Sequence, residues 1–320
     1  MRAVVQDRYG PPEVLRIEEL DRPVPAADEL LVRVHASTVN QTDTHFRGAT
    51  QPLIRLITGM RRPRVRIAGR EFAGVVEAIG PAVTKFAVGD RVFGIRIGAN
   101  ADYLCVRETR IVATIPSGLS FAEAAAIPDG GYQGIVHLTR AGVGPGTELL
   151  VYGASGSCGT AAVQIGKAWG ARVTAVTSTG NLDLLRSLGA DEVIDYRTTD
   201  FTDNGTAYDV ILDAVGKLSF SRTRGSLKPG ALWVATDDLR NLLWWAWTSR
   251  SRRSRLVFAA PRFSREQFLT LRALVESGRY RGVIDRSYPL EDVVEAHRYV
   301  ETWRKRGNVV LTVVPEGALG

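Results

Sequence analysis

Cysteine and long apolar runs are scarce in this sequence, and each scarcity excludes a class of protein. The 320 residues include only Cys105 and Cys158, which excludes a disulfide framework and a structural zinc site held by four cysteines. No stretch approaches the roughly 18 uninterrupted apolar residues that would span a bilayer. The opening MRAVVQDRYG lacks the apolar core of a secretory signal. We therefore expect a cytoplasmic protein without stable membrane insertion, and the length indicates about two domains.

Lysine is also rare, although the chain is basic. Lysine and arginine together number 41 against 34 acidic residues, for a net charge of +7, and only five of the 41 are lysine. One basic cluster stands out, formed by Arg250, Arg252, Arg253 and Arg255, and a solvated loop is its simplest explanation. Nucleic-acid binding requires a whole basic face with aromatic platforms. We expect no nucleic-acid partner.

The hydrophobic pattern changes along the chain and predicts two domains. Short apolar runs such as 30–36, 73–79 and 90–95 are punctuated by Gly or Pro, which is typical of β-structure. From about Ser120, strands alternate with helices, and this rhythm predicts a parallel sheet covered on both faces. The predicted elements are strands over 149–153, 172–178, 192–196, 208–216 and 231–236, and helices over 160–169 and 182–188. The tail, with a helix over 291–304, is expected to fold back onto the first domain.

A glycine-rich turn is the sharpest motif. In LLVYGASGSCGTAAVQIG, the glycines lie three apart, directly after a predicted buried strand and before a helix. This spacing allows a tight turn and lets a pyrophosphate approach backbone N–H groups at the positive end of the helix. The residues expected to contact a dinucleotide here are Gly153, Ser155, Gly156, Ser157, Cys158 and Gly159.

The end of the next strand indicates which dinucleotide binds. NAD sites usually carry an acidic residue there, which holds the ribose hydroxyls. This strand ends in Thr-Ser-Thr at 177–179, and the next carboxylate along the chain is Asp183. Ser178 and Tyr196 offer hydroxyl groups to a ribose phosphate, and Arg197 follows Tyr196. The pattern favours NADP(H).

Six segments along the whole chain form a recognisable set: VLRIEELDRPVPAADELLVRVHASTVNQTD, AGREFAGVVEAIGPAVTKFAVGDRVFG, the glycine turn, LGADEVIDY, YDVILDAVG and VIDRSYPLEDVVEAHRYVE. With these segments the chain resembles the medium-chain dehydrogenase/reductase superfamily, in its zinc-free quinone oxidoreductase-like branch. The resemblance implies a GroES-like catalytic domain of residues 1–119 and 283–320, a Rossmann domain of residues 120–282, and an active site in the cleft. It also implies cofactor contacts at Val215 and at Asn308, where the family often has lysine.

Zinc-dependent members of this superfamily hold their metal with a cysteine, a histidine and a later cysteine or carboxylate. Asn40 stands at the position of the first cysteine, and Arg70 replaces the histidine. Neither Cys105 nor Cys158 is placed to supply the third ligand. Asparagine and arginine do not form a plausible zinc site, so we expect no metal.

The resemblance also marks candidate catalytic residues. Thr42 and His45 stand where alcohol dehydrogenases relay a proton through the cofactor ribose, although the simpler explanation is that Thr42 caps the turn and His45 lines a wet wall of the cleft. Asn40 is the first candidate for a hydrogen bond to the substrate oxygen, or else it braces its loop, as Asp43 is expected to do. Tyr132 either touches the nicotinamide or substrate or is a core aromatic.

Without zinc, the hydride acceptor must already be electron-poor, such as a quinone or an α,β-unsaturated carbonyl, with its oxyanion held by hydrogen-bond donors. Three hypotheses remain: an NADPH-dependent quinone or enone reductase, an alcohol dehydrogenase or carbonyl reductase using Thr42 and His45, and a nucleotide-binding protein without turnover. The substrate is expected to be a small apolar molecule. Packing in a homodimer, a substrate lid and a membrane-surface contact remain open for Trp244, Trp245 and Trp247.

Overall fold

The computed structural model describes residues 1–49, 52–235, 254–258 and 264–314. The chain forms two compact units: residues 1–129, 263–272 and 282–320 make the first unit, and residues 130–262 and 273–281 make the second. The three tryptophans at 244–247 and the arginines at 250–253 lie outside the described residues, so their roles stay predictions. Among the described residues, no helix combines the length and apolar character needed to cross a membrane.

The elements are numbered in chain order. The strands are β1 (Arg2–Val5), β2 (Arg16–Glu19), β3 (Glu29–Val39), β4 (Glu71–Ile79), β5 (Arg91–Ile95), β6 (Tyr103–Arg107), β7 (Val112–Thr114), β8 (Glu148–Tyr152), β9 (Arg172–Thr177), β10 (Glu192–Asp195), β11 (Tyr208–Asp213), β12 (Leu227–Ala235), β13 (Ser254–Phe258), β14 (Ile284–Pro289) and β15 (Asn308–Thr312). The helices of four residues or more are α1 (Gln41–Gly48), α2 (Pro52–Thr58), α3 (Phe121–Ala125), α4 (Pro128–Arg140), α5 (Ser157–Ala168), α6 (Leu182–Ser187), α7 (Phe220–Thr223), α8 (Arg265–Glu276) and α9 (Val293–Glu301).

Strand β3 organises the first unit. It pairs with β15, β4 and β6 in a sheet of order β14-β15-β3-β4-β5-β7, in which β6 joins β3. Most residues of β3 are buried, since the sheet is covered on both faces along much of this strand. Val309 of β15 lies opposite Val39 of β3 in an antiparallel pair. The expectation that the tail folds back onto the first domain is therefore confirmed.

The second unit contains a six-stranded, fully parallel sheet of order β10-β9-β8-β11-β12-β13. Counted from β8, this is the order 3-2-1-4-5-6 of a doubly wound dinucleotide-binding fold. The strand order reverses between β8 and β11, and ligands bind beyond the carboxyl ends of strands at such a reversal. The predicted doubly wound α/β sheet is confirmed, while the exact domain boundaries at 119/120 and 282/283 stay predictions.

Helix α4 was not predicted from the pattern, because its opening residues, Pro-Asp-Gly-Gly, are typical of a turn. Proline is well tolerated in the first turn of a helix, where its missing N–H costs nothing. Two glycines allow close packing: a Cβ at Gly130 would lie 2.2 Å from Ser157 Oγ, and one at Gly134 would lie 2.9 Å from Ile165 Cδ1. The glycines therefore serve packing against α5.

A buried arginine ties α1 to α9. Arg47 donates one hydrogen bond to His297 Nδ1, at 3.0 Å, and another to the carboxylate of Glu301. The bond to Nδ1 makes that nitrogen an acceptor, so the histidine is neutral with its proton on Nε2. Burial, together with the Arg47 charge, lowers the pKa of His297 to about 3.

This pKa predicts a pH dependence of stability. The unfolded histidine takes up a proton near pH 6.5, whereas the folded one stays neutral until the pH approaches 3. The contribution of the neutral His297 to the free energy of unfolding is therefore fully present above pH 6.5 and decreases as the pH falls towards 3. Between pH 6.5 and pH 5 the loss is about 2 kcal/mol. His297→Asn, which keeps an acceptor for Arg47, should remove this slope when urea unfolding is compared with the unsubstituted protein. Parallel pH profiles for the two proteins would contradict the assignment.

Candidate active site

The three glycines of the turn after β8 have separable roles. Gly153 has a left-handed φ of +74°, which lets the chain turn sharply out of the strand. A Cβ at Gly159 would lie 2.4 Å from the Gly153 carbonyl oxygen, so only glycine allows this approach of helix and turn. A Cβ at Gly156 would meet only that same oxygen, at 3.7 Å, so the space beside Gly156 is open. These are the turn, packing and access roles of a dinucleotide-binding fingerprint.

The surroundings of the turn fit a pyrophosphate. The turn follows β8 at the reversal of strand order, and helix α5 begins at Ser157 with no side-chain cap on its N-terminus. Uncapped N–H groups and the positive end of a helix attract phosphate. Val215, just after β11, lies against the turn: a Cβ at Gly153 would come within 2.4 Å of its Cγ1. The Cys158 thiol is buried, with Sγ 3.8 Å from His137 Nδ1, and the contact of Cys158 with a dinucleotide stays a prediction.

The structure adds a carboxylate at the end of β9 that the sequence analysis missed. Asp195 of β10 lies opposite Thr177 of β9, and its Oδ2 accepts a hydrogen bond of 2.5 Å from the Thr179 hydroxyl. This hydrogen bond, together with one from the Arg197 backbone N–H, holds the pKa of Asp195 below its usual range. Ser178 is half-buried and Tyr196 is half-exposed nearby in the sequence. The region therefore combines hydroxyl groups with one negative charge.

Asn40 lies in a buried polar network of the first unit. Its amide nitrogen donates to Glu71 Oε2 at 2.5 Å and to Asn308 Oδ1 at 3.1 Å. Its amide oxygen accepts a hydrogen bond from Lys305 Nζ at 3.1 Å. Both N–H groups are thus already used, which favours the bracing role over a contact with substrate.

Asn308 belongs to the same network and is also buried. Its amide nitrogen donates to the carbonyl oxygens of Ala126, at 2.9 Å, and Val283, at 3.1 Å. Its place near the cofactor stays a prediction. Sequence analysis had no signal for this network, because its members are separated by as many as 268 residues.

Glu71 is the centre of the network. Its carboxylate accepts hydrogen bonds from the Thr38 hydroxyl, the Asn40 amide and the Asp129 backbone N–H, the last at 2.6 Å. Burial, and secondly the neighbouring Asp129 charge, raise the pKa of Glu71. Burial likewise lowers the pKa of Lys305 to about 8. Each charge is therefore costly on its own, and the network compensates by bringing them together.

Helix α1 carries the proposed proton relay. Thr42 and His45 are three residues apart and so share a face of the helix, where both are half-buried. Asp43 accepts a hydrogen bond from the Asn40 backbone N–H at 2.7 Å, which caps the helix and confirms its bracing role. Burial raises the pKa of Asp43 to about 6. Tyr132, on α4 in the second unit, is fully buried, so its contact with a ligand stays a prediction.

The first unit also contains a cavity of about 770 Å³ that sequence analysis did not predict. Most of the surface of its lining is apolar. The apolar side chains that line it include Phe46, Val65, Ile67, Ile95, Ile97 and Ile111. Arg70 also lines it, with its guanidinium 5.2 Å from the centre of the Phe46 ring. Arg70 Nη1 forms an ion pair with Asp129 Oδ1 at 3.4 Å. Arg70, noted in the sequence only as a missing metal ligand, is therefore a cation on an apolar cavity.

Within the described ranges, no group of three or more His, Cys, Asp or Glu side chains is placed to hold a metal ion. Asn40 and Arg70 are instead committed to partners in the network described above, Asn40 to Glu71 and Arg70 to Asp129. The metal-free expectation itself stays a prediction.

Comparison with known proteins agrees with this geometry. The model of the alcohol dehydrogenase GroES-like domain matches residues 26–145, and a model described as zinc-binding dehydrogenase matches residues 188–311. Human quinone oxidoreductase is 30% identical over 94% of each chain. The 2-methylene-furan-3-one reductase of Solanum lycopersicum is 31% identical, over 98% of this chain and 80% of that protein.

Among solved structures, the quinone oxidoreductase of Coxiella burnetii superimposes with a TM-score of 0.88 at 27% identity, over 98% of this chain and 99% of that one. The likeness therefore extends through both units in sequence and in fold. The chain belongs to the medium-chain dehydrogenase/reductase superfamily, in its zinc-free quinone oxidoreductase-like branch, and is an oxidoreductase of that type.

Proposed function

We propose that the protein is a metal-independent, NADPH-dependent reductase that transfers hydride to a quinone or an α,β-unsaturated carbonyl. The observation that carries the proposal is the cavity of the first unit, which is mostly apolar and presents the guanidinium of Arg70 where zinc-dependent relatives carry a metal ligand. Such a cavity suits an apolar acceptor with one polar oxygen. The names of the quinone and furanone reductases above agree with this substrate class.

The second unit provides the cofactor site in this proposal. The backbone around Gly156 and the start of α5 bind the pyrophosphate, while Ser178 and Tyr196 face the ribose phosphate. The cofactor, when bound, supplies the hydride. The chain's own part is to orient the dinucleotide and to exclude water from the reacting atoms.

The acceptor must be electron-poor, because the residues at positions 40 and 70 do not form a zinc ligand set. Conjugate addition of hydride places negative charge on the carbonyl oxygen. Sequence analysis gave the stabilising role to Asn40, but both N–H groups of Asn40 already donate within the protein. We assign this role to Arg70, whose guanidinium lines the cavity.

An alcohol dehydrogenase or carbonyl reductase remains the second candidate, because Thr42 and His45 lie on one face of α1. A simple ketone gives a basic alkoxide, which requires a positioned proton donor. An enolate or phenolate is stable enough to take its proton from solvent. The two candidates therefore differ in their dependence on His45.

The proposal also includes a homodimer in the cytoplasm. Sedimentation analysis of the full chain tests the dimer.

The roles of His45 and Arg70 should separate in single variants. His45→Ala should lower kcat/KM for an enone by less than about tenfold, because proton delivery from solvent suffices, whereas positioned acid–base groups contribute about 10²–10⁴-fold. Arg70→Gln should lower kcat by about 10²–10³-fold, as the loss of an oxyanion donor does. Arg70→Lys is the matched control that keeps the charge. A large loss in His45→Ala that also removes the pH dependence of kcat/KM, with NADPH binding intact, would favour the carbonyl reductase.

Cofactor preference tests the assignment at the end of β9. NADPH should bind at least about tenfold tighter than NADH in a fluorescence titration, a difference of about 1.4 kcal/mol. Ser178→Asp should reverse the preference by placing a carboxylate against the ribose phosphate. Asp195→Asn should increase the preference, because it removes the negative charge beside Thr179. Equal dissociation constants for NADPH and NADH would contradict the assignment of Ser178 and Tyr196 to the ribose phosphate.

Metal independence is tested by prolonged chelation. Because asparagine and arginine at positions 40 and 70 do not form a zinc ligand set, activity should survive chelators, and elemental analysis should find no stoichiometric zinc. Tightly bound zinc whose removal abolishes turnover would refute this part of the proposal.

A further inference from the structure

Six arginines line the cavity of the first unit, and they fall into two groups. Three are compensated by carboxylates: Arg47 by Glu301, Arg70 by Asp129 and Arg107 by Asp28. The other three are Arg64, Arg96 and Arg110, all exposed, and in the described part of the chain no carboxylate lies within 4.0 Å of their guanidinium groups. The cavity therefore carries three uncompensated positive charges.

The carboxylates that line the cavity do not neutralise these charges. Asp43 is bound to the Asn40 backbone N–H, and burial raises its pKa to about 6. Glu29 accepts a hydrogen bond from the Ala26 N–H at 3.2 Å and lies 4.0 Å from Arg107. Both acidic groups thus already have partners elsewhere.

Arg96 is also held in place. Its Nε donates to the carbonyl oxygen of Cys105 at 3.1 Å, and its Nη1 donates to that of Ile97 at 3.2 Å. Of the five N–H groups of a guanidinium, these bonds use two, and the pair on Nη2 is left for a ligand. A guanidinium fixed by backbone carbonyls loses little freedom when it binds an oxyanion.

Part of the apolar lining of the same cavity is exposed to solvent. Val65 and Ile97 line it, and 46% of each residue's surface is exposed. Exposed apolar surface next to uncompensated cations is complementary to a molecule that is itself apolar and negatively charged. An apolar neutral molecule would cover Val65 and Ile97 but would leave the three arginines unused.

We propose that this cavity binds an apolar chain or ring that carries an oxyanion, either a carboxylate or a phosphate. The apolar portion packs on Phe46, Val65 and Ile97, and the oxyanion binds Arg96 with help from Arg64 and Arg110. This inference deepens the proposed function, on which it rests for the reaction: the enone or quinone that is reduced carries an acidic group away from the reacting carbonyl.

Binding can be measured without turnover. Isothermal titration calorimetry at low salt would compare decanoate, decyl phosphate and decan-1-ol, all below their aggregation limits. Decanoate or decyl phosphate, or both, should bind at least about tenfold tighter than the alcohol, and the tighter of the two anions identifies the group preferred. Equal binding of the alcohol and both anions would overturn the proposal.

Single variants locate the charge. Arg96→Gln and Arg110→Gln should each weaken anion binding severalfold and leave binding of the alcohol unchanged. Arg140→Gln is the matched control, because Arg140 is an exposed arginine of α4 that does not line the cavity. Unchanged anion binding in both cavity variants, with melting temperatures intact, would also overturn the proposal.

A turnover arm separates this proposal from the proposed function. A straight-chain enone ending in a carboxylate and its methyl ester would be compared by kcat/KM. An advantage of the acid that is lost in Arg96→Gln supports both proposals. Anion-selective binding without reduction of either enone would refute the reductase and leave the cavity assignment standing. Equal reduction of acid and ester, with no selective binding, would refute the cavity assignment alone.

Discussion

The buried carboxylate of Glu71 is the point at which the polar interior of the first unit is joined. It joins β3 through Thr38, the start of α1 through Asn40, and the start of α4 through the Asp129 backbone. A buried carboxylate is stable only when its oxygens are satisfied, so these bonds hold Thr38, Asn40 and the Asp129 backbone together inside the first unit. The start of helix α1, the helix that carries the candidate relay residues Thr42 and His45, is positioned by this network.

The same network contacts both residues that, by the family resemblance, stand where zinc-dependent members carry metal ligands. Asn40 is drawn into the polar interior by Glu71 and Lys305, whereas Arg70 reaches the cavity and pairs with Asp129. Asn40 therefore braces the polar interior, whereas Arg70 presents its guanidinium to an apolar space. A guanidinium stabilises a developing oxyanion without metal chemistry, which is the basis of the proposed conjugate reduction.

The sequence indicated the glycine turn and its surrounding strand and helix, but not the cavity of the first unit, for a physical reason. The glycine turn is local, because the strand, the turn and the helix lie within about 20 residues. The spacing of its glycines therefore indicates their roles in turning, packing and access without any long-range information. Asp195 was missed because it approaches Thr179 from a neighbouring strand, and only the pairing of β10 with β9 shows it. Arg70 and Phe46 meet across 24 residues, and nothing in the local pattern indicates a shared cavity.

The central claim is that hydride adds to a carbon–carbon double bond conjugated to a carbonyl. The most direct measurement is NMR of the product formed from an enone and NADPH deuterated at C4 of the nicotinamide. The account predicts deuterium on the carbon β to the carbonyl, with the carbonyl group intact. Deuterium on the carbinol carbon of an allylic alcohol would contradict it and would assign carbonyl reduction instead.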